Sequence, residues 1–290
     1  MKKTEQNKQS FGEIKVEGVT KTFLDEGKQV EVLKDCTMVV PRGKLTVLMG
    51  PSGCGKTSLI NLIAGYEQPD SGQILLDGEP VNGPGPERLV VFQETALFSW
   101  MTVLQNVTFG PSVQGIPKAV ARERALQILQ TVGLKDFKDK YPSQLSGGMQ
   151  RRAELARALI NEPKVMILDE PFRGLDAMTR EIMQEFYVNL FQETGMTNLF
   201  VTHDLEEAIF LADRLVIMTY KPGKIKEVIE VDLPRPRHFT MITTQRFNEL
   251  RQYALELLYH ESTKAFADGC KSAFDLIDGF SRGGAKREAM

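Results

Sequence analysis

Cysteine is scarce. The 290 residues hold three, at Cys36, Cys54 and Cys270, too few and too scattered for a disulfide framework or a thiolate-bound metal. A reducing compartment is expected, with the cytosol as the default. An excess of either charge is also missing, since 36 basic and 38 acidic side chains leave a formal −2. That balance excludes a general basic coat for nucleic acid, and no nucleic-acid partner is expected. Long apolar runs are absent too: charges interrupt each one well before the roughly 20 residues that a membrane span needs. Met1 to Ser10 is polar after its first residue, without the apolar core of a secretory signal. Any service to a membrane is therefore expected from outside the bilayer. No repeat of solenoid or propeller period is present. What remains is ordinary globular composition, 42% hydrophobic and 26% charged, enough to bury a core in one large domain or two small ones.

Residues 1–12 read as a polar tail. Ile14, Val16 and Val19, then Val30, Val32 and Leu33, mark short strands of a small antiparallel layer. Leu45 to Met49 is an apolar run ending in a glycine-rich turn, and Leu59, Ile60, Leu62 and Ile63 after it suit a helix that Gly65 stops. Further strands are legible at Ile74 to Leu76, Leu89 to Phe92, Val165 to Leu168, Leu199 to Val201 and Leu215 to Met218, several of them continuous as buried parallel strands require. The stretch from about 94 to 160 is helical in texture, with Pro117 near the start and Gly133 at the end of a helix facing inward through Ala125, Leu129 and Val132. It reads as a helical subdomain inserted into an α/β core. Beyond Asp232 the segment Pro234-Arg235-Pro236 breaks regular structure, and Phe247, Leu250, Ala254, Leu257 and Leu258 give a one-sided helix. The expected organisation is a tail at 1–12, a main domain at 13–232, a helical extension at 233–262, and a short helix with a flexible tail at 263–290. In that last part Phe266, Cys270, Phe274 and Ile277 share one helical face.

The run Gly50-Pro51-Ser52-Gly53-Cys54-Gly55-Lys56-Thr57, continued by Ser58, fits GxxxxGK[ST] between an apolar strand and a helix. Its glycines let backbone amides and a helix N-terminus face phosphate oxygens. Lys56 would reach the β and γ phosphates, and Thr57 would offer its hydroxyl to magnesium. The alternative is a glycine-rich cap without a ligand, which leaves a lysine and a set of free amides without purpose. Cys54 suits the loop as a small filler, with redox control as the other reading. Val165-Met166-Ile167-Leu168-Asp169-Glu170 brings two carboxylates to the C-terminal end of a buried strand, where open α/β sheets bind ligands. Asp169 would hold magnesium through water, and Glu170 would orient or deprotonate an attacking water.

Leu145-Ser146-Gly147-Gly148-Met149-Gln150 lies about 20 residues before that strand, and here the sequence resembles the ATP-binding-cassette superfamily, whose signature is LSGGQ or a close variant. The resemblance covers roughly residues 13–232. Ser146 can cap a helix whose first amides form a second anion site. In the superfamily this signature closes over ATP held by another subunit. The resemblance therefore implies a head-to-tail dimer, with itself or a paralogue, in which Ser146, Gly147, Gly148, Gln150 and Asp176 meet the partner's nucleotide. It also implies an α/β nucleotide-binding fold with a mixed sheet, an antiparallel layer and an inserted helical subdomain, ATP and Mg2+ as cofactors, and ATP hydrolysis as the reaction. By the same resemblance Gln93 senses magnesium and the attacking water, His203 contacts the γ phosphate, and Phe23, 27 residues before Gly50, stacks on adenine. The loop after the glutamate usually reads small-Ala-Leu-Asp. Here it is Arg173-Gly174-Leu175-Asp176, which brings a long cation to a place where dimer partners approach.

Phe92-Gln93-Glu94, Leu97 to Val103 with Trp100, the sole tryptophan, Asn106-Val107, and Asp232 to Arg237 resemble the importer branch serving nitrate, sulfonate, taurine or bicarbonate. Ser99-Trp100 replaces the branch's usual Pro-Trp. The implied partners are integral-membrane permease subunits and, indirectly, an extracytoplasmic solute-binding protein, with the chain peripheral on the cytoplasmic face. Phe98, Trp100 and Met101 would floor the groove for a permease helix, with core packing as the competing role for the two aromatics. A cassette of another transporter class is the alternative. A DNA-repair cassette would place a long coiled coil between the phosphate loop and the signature, but Gly50 and Leu145 are 95 positions apart. A translation-factor cassette would carry two cassettes in one chain.

Overall fold

The computed structural model describes residues 11–25 and 27–284, with the backbone alone for residues 25 and 269–284. Among the described residues the strands form two sheets. The first is antiparallel, in the order β2 (Lys28–Val40), β1 (Ile14–Asp25), β4 (Ser71–Leu76) and β5 (Glu79–Pro80). The second runs β10 (Ile225–Glu230), β9 (Arg214–Met218), β3 (Leu45–Met49), β8 (Thr197–Val201), β7 (Val165–Asp169), β6 (Arg88–Val91). It is parallel except for β10, which pairs antiparallel with β9.

The continuous apolar strands occupy the middle of this second sheet because both faces are covered. Along β3, Leu45, Val47 and Met49 enter one core while Leu48 enters the other; β9 alternates in the same way, with Leu215 and Ile217 against Val216 and Met218. One core lies under α5 (Ala177–Thr194), α6 (Leu205–Leu211) and the start of α7 (Gln245–Gly284), and the other holds α1 (Lys56–Ala64) and the antiparallel layer. Gly65 ends α1 at φ 82°, where a side chain is both strained and blocked, since an added Cβ would meet Gly83 O at 2.2 Å.

Residues 103–160 make a third core of their own. Val103, Leu104 and Val107 of α2 (Val103–Val113) pack with Ala125 and Leu129 of α3 (Lys118–Thr131) and with Ala153 and Ala156 of α4 (Gly147–Leu159). The chain enters α2 through a reciprocal cap, Thr102 Oγ1 accepting from the Gln105 amide and Gln105 Oε1 from the Thr102 amide.

Three local expectations change. Phe11 packs on the first core, and Gly12 is held by its N–H to Lys164 O at 3.1 Å and by Thr197 Oγ1 at 2.8 Å, so the polar tail does not extend to residue 12. Residues 1–10 lie outside the described residues. α7 runs unbroken through the boundary expected at 262 and reaches Gly284. Residues 285–290, and the side chains of Cys270, Phe274 and Ile277, lie outside the described part. Phe92 has left β6 and is exposed, its ring stacked on Tyr66 at 6.3 Å.

Candidate active site

The strand order decides what meets. β6, β7, β8 and β3 lie side by side in that order, and their C-terminal ends with the loops that follow carry Gln93, the pair Asp169 and Glu170, His203, and the glycine-rich turn respectively. These groups lie up to about 150 residues apart in sequence, and the parallel ladders bring them to one edge of the sheet.

The turn is built around close approach. A Cβ at Gly50 would sit 2.7 Å from Cys54 Sγ, and one at Gly55, which has φ 94°, would sit 2.7 Å from Leu33 Cδ2. Cys54 is fully buried, and burial pushes its thiol up despite the nearby Lys56. These facts favour the filler role over redox control. Lys56 Nζ donates to Gly50 O at 2.8 Å and to Pro51 O at 3.1 Å, so the ammonium is bound by the loop it serves. A cavity of about 350 Å³ opens there, lined by Ser52, Gly53, Gly55, Lys56, Thr57 and Ser58 on one side and Gln93, Asp169 and Glu170 on the other. Val32 and Arg173 complete its wall. The first amides of α1 have no partner within the helix, and the residues that carry them, Lys56 to Ser58, line this cavity.

Asp169 has its carboxyl raised above the usual range, first by burial and then by the Glu170 charge, with Lys56 opposing. Among the described residues no cluster of three His, Cys, Asp or Glu side chains could hold a metal ion. One hydroxyl at Thr57 and one carboxylate at Asp169 form a hard-oxygen donor pair that fits Mg2+ when phosphate oxygens and water complete the shell.

Glu170 sits at φ 44°, with its N–H donating to Val201 O at 2.9 Å. This unusual backbone turns its side chain out of the strand. His203 Nδ1 stands 3.2 Å from Glu170 Oε2. Arg173 Nη1 stands 3.2 Å from the same oxygen and 3.4 Å from Gln93 Oε1. The sequence marks Arg173 as unusual but gives no sign of its partners.

The signature residues lie elsewhere. Ser146 caps α4, its Oγ accepting the Met149 amide at 3.3 Å. Gly147 and Gly148 let that helix end approach Leu175 and Thr179, which an added Cβ would meet at 3.2 and 3.0 Å. Ser146 and Gly148 line a separate cavity of about 200 Å³ with Thr179 and Phe186. Gln150 lines neither cavity; its Nε2 donates to Pro142 O and Leu145 O and so braces the turn before Ser146. Asp176 caps α5 through the Thr179 amide at 3.0 Å. Phe23 is half-buried opposite Val30, with Lys21 Nζ 5.4 Å from its ring centre, and lines neither cavity.

Sequence reasoning misses a buried pair that links these regions. Arg151 of α4 forms an ion pair with Glu154 and donates to Phe92 O at 2.9 Å and Gln93 O at 2.6 Å, while Glu154 accepts the Ala96 amide at 3.0 Å. The helix that starts with the signature thus holds the segment that presents Gln93. After it, buried Asn106 accepts the Phe98 amide at 2.8 Å and donates to Phe98 O, Met101 O and Thr102 O, fixing the turn that displays Trp100 at 70% exposure. Phe98 is half-buried between Trp100, Phe109 and Arg157, and Met101 is half-buried.

A family model described as ABC transporter matches residues 33–173. An uncharacterized ABC transporter ATP-binding protein of Methanocaldococcus jannaschii is 46% identical over 252 residues, 87% of this chain and 93% of that protein. The chain belongs to the ABC transporter ATP-binding proteins. Taurine import ATP-binding protein of Roseobacter denitrificans is 48% identical over 202 residues, 70% of this chain and 75% of its own length. Among solved structures, a dimeric ATP-binding cassette in a post-hydrolysis state, bound to ADP and Pi, aligns with a TM-score of 0.65 at 28% identity, covering 76% of this chain and all of that one. The chain is thus an ABC ATPase, and its two sheets and helical insertion are that fold. No helix among the described residues is long and apolar enough to cross a membrane.

Proposed function

We propose that this ABC ATPase drives import of a taurine-like sulfonate or related small anion, working as a head-to-tail pair beneath a separate permease on the cytoplasmic face of the membrane. The observation that carries the chemistry is the convergence of Lys56, Gln93, Asp169, Glu170 and His203 around one cavity and its rim. Lys56 exchanges its loop carbonyls for phosphate oxygens, and the first amides of α1 receive the rest of that charge. Mg2+, held through Thr57 and Asp169, would neutralise charge on those oxygens. Glu170 accepts the proton of a water that Gln93 helps orient, and His203, whose Nδ1 stands 3.2 Å from the Glu170 carboxylate, contacts the γ phosphate.

Ser146 and Gly148 line a different cavity from Lys56, which supports the use of Ser146, Gly147 and Gly148 by a second subunit rather than by their own phosphate loop. Asp176 belongs with them at that contact. In this reading Gln150 acts indirectly, by bracing the Leu145 turn, and Phe23 stacks on adenine. Exposed Trp100 borders an apolar groove of about 340 Å³ that Phe98 and Phe109 line, with Arg157 at one wall, and this surface suits a permease helix. The solute class rests on the likeness to the taurine import protein, and an extracytoplasmic solute-binding protein would deliver the solute.

The test is reconstitution with a cognate permease in vesicles, with uptake of taurine, an alkanesulfonate, nitrate and bicarbonate measured in the presence of ATP. ATP-dependent uptake of one sulfonate above the others supports the reading. Uptake of none, from a complex that still hydrolyses ATP, would overturn the solute assignment.

A further inference from the structure

Arg173 holds the two oxygens that the reaction needs free. Its backbone N–H donates to Glu170 O at 3.1 Å, closing a tight turn that sets side chains 170 and 173 on the same side. Its Nη1 then reaches Glu170 Oε2 at 3.2 Å and Gln93 Oε1 at 3.4 Å. The two ends of this contact differ in freedom. Glu170 is 13% exposed and anchored to β8, whereas the Arg173 side chain is 57% exposed. The guanidinium also lines both the phosphate cavity and the adjoining space shared with His203 and Arg180. Next to it, Gly174 lies at φ 82° with nothing within 4 Å of where a Cβ would stand, whereas Phe172 inside the turn is buried in the core, so release is a movement of the exposed Arg173 side chain and not of the turn.

We propose that Arg173 is a positioning residue that keeps Glu170 and Gln93 occupied in the unengaged subunit, so that hydrolysis requires the guanidinium to let go. This rests on the reading of Glu170 as the base. While the contact lasts, one carboxylate oxygen is shared between His203 and a cation, and the Gln93 carbonyl is turned from water to the same cation. A water approaching that oxygen has to displace the guanidinium first, and the restraint is electrostatic at a site that solvent reaches. Salt must therefore weaken it.

The experiment compares wild type, Arg173→Ala, Arg173→Lys and Glu170→Gln as full chains without permease. Steady-state ATP hydrolysis is followed from low to high salt, with binding of a non-hydrolysable ATP analogue measured alongside. Arg173→Ala should raise kcat about 1.5- to 5-fold at low salt, the range an exposed ion pair allows. KM and analogue affinity should stay unchanged. Arg173→Lys, which keeps the charge, should stay near wild type. Wild-type kcat should climb with salt toward the Arg173→Ala value, while that variant responds far less. Hydrogen exchange of the amides at 173–176 in the nucleotide-free protein should quicken in Arg173→Ala and not in Arg173→Lys. An inactive Glu170→Gln together with an Arg173→Ala no faster than wild type would overturn the restraint alone. A Glu170→Gln that hydrolyses at the wild-type rate would overturn the reading beneath it.

Discussion

The backbone amide of Tyr220 donates to Glu261 Oε2 at 2.9 Å, fastening the long C-terminal helix to the turn between β9 and β10. That turn in turn supports the phosphate loop, because Gly223 lies so close that a Cβ on it would stand 2.1 Å from Cys54 O. Lys226 and Lys264 each reach Glu261 Oε1, at 2.9 and 3.0 Å, and the carboxylate is only 2% exposed.

Burial would by itself raise the Glu261 carboxyl, but the Lys226 ammonium, the Tyr220 amide and Lys264 more than reverse this and lower it from 4.5 to about 2. A depressed carboxylate contributes stability that is complete above its unfolded value and is lost as pH falls toward its folded value. At about 1.4 kcal/mol per unit, the contribution at neutral pH is on the order of 3 kcal/mol. Glu261→Gln should therefore lower the unfolding free energy in denaturant titrations at pH 7. Its deficit against wild type should shrink as pH falls from about 4.5 to about 2. A deficit that is constant across this range would show that the ion pairs contribute nothing.

The proposed head-to-tail pair makes an asymmetric expectation for mixed dimers. With Ser146→Arg in one chain and Lys56→Ala in the other, that arrangement puts both lesions in the same composite site and spares its twin. Such a dimer should bind one nucleotide tightly, as counted by equilibrium dialysis with a non-hydrolysable analogue. A count of zero would contradict the head-to-tail arrangement.

Trp100 is too exposed to be a core residue, so its loss should cost little stability. Trp100→Ala should leave the melting temperature and nucleotide binding nearly unchanged, yet weaken assembly with permease-containing membranes by a few kcal/mol, the scale of an interface anchor. Its fluorescence in the wild type, free of any second tryptophan, should change on assembly. A variant that assembles and transports normally would remove this turn from the coupling surface.

What the sequence reveals depends on how each contact is made. β3, β7 and β8 are legible because burial on both faces demands continuous apolar runs, and the chemical groups sit at their ends. β10 is not, because an edge strand reading Ile225-Lys226-Glu227-Val228-Ile229-Glu230 is half exposed and mixes charge with apolar residues. The continuity of α7 is hidden by Glu261, a buried charge within the helix, and by Gly269 and Gly279, poor helix formers beyond it. The Arg151–Glu154 pair escapes because Arg151's distant partners are backbone carbonyls at 92 and 93, which leave no mark on the sequence. Arg173 is visible as an odd residue, but only the positive φ of Glu170 and the turn that follows bring the two side chains together.

The central claim is that Glu170 is the base of an ATP hydrolase that Lys56 loads. Its most direct test is single-turnover hydrolysis by Glu170→Gln, with ATP affinity measured on the same protein and Lys56→Ala as the comparison. The account predicts hydrolysis slowed about 10²- to 10⁴-fold in Glu170→Gln, the span of general-base help, with ATP still bound as in wild type. Lys56→Ala should instead lose affinity as well as turnover. Hydrolysis by Glu170→Gln at the wild-type rate would contradict the account.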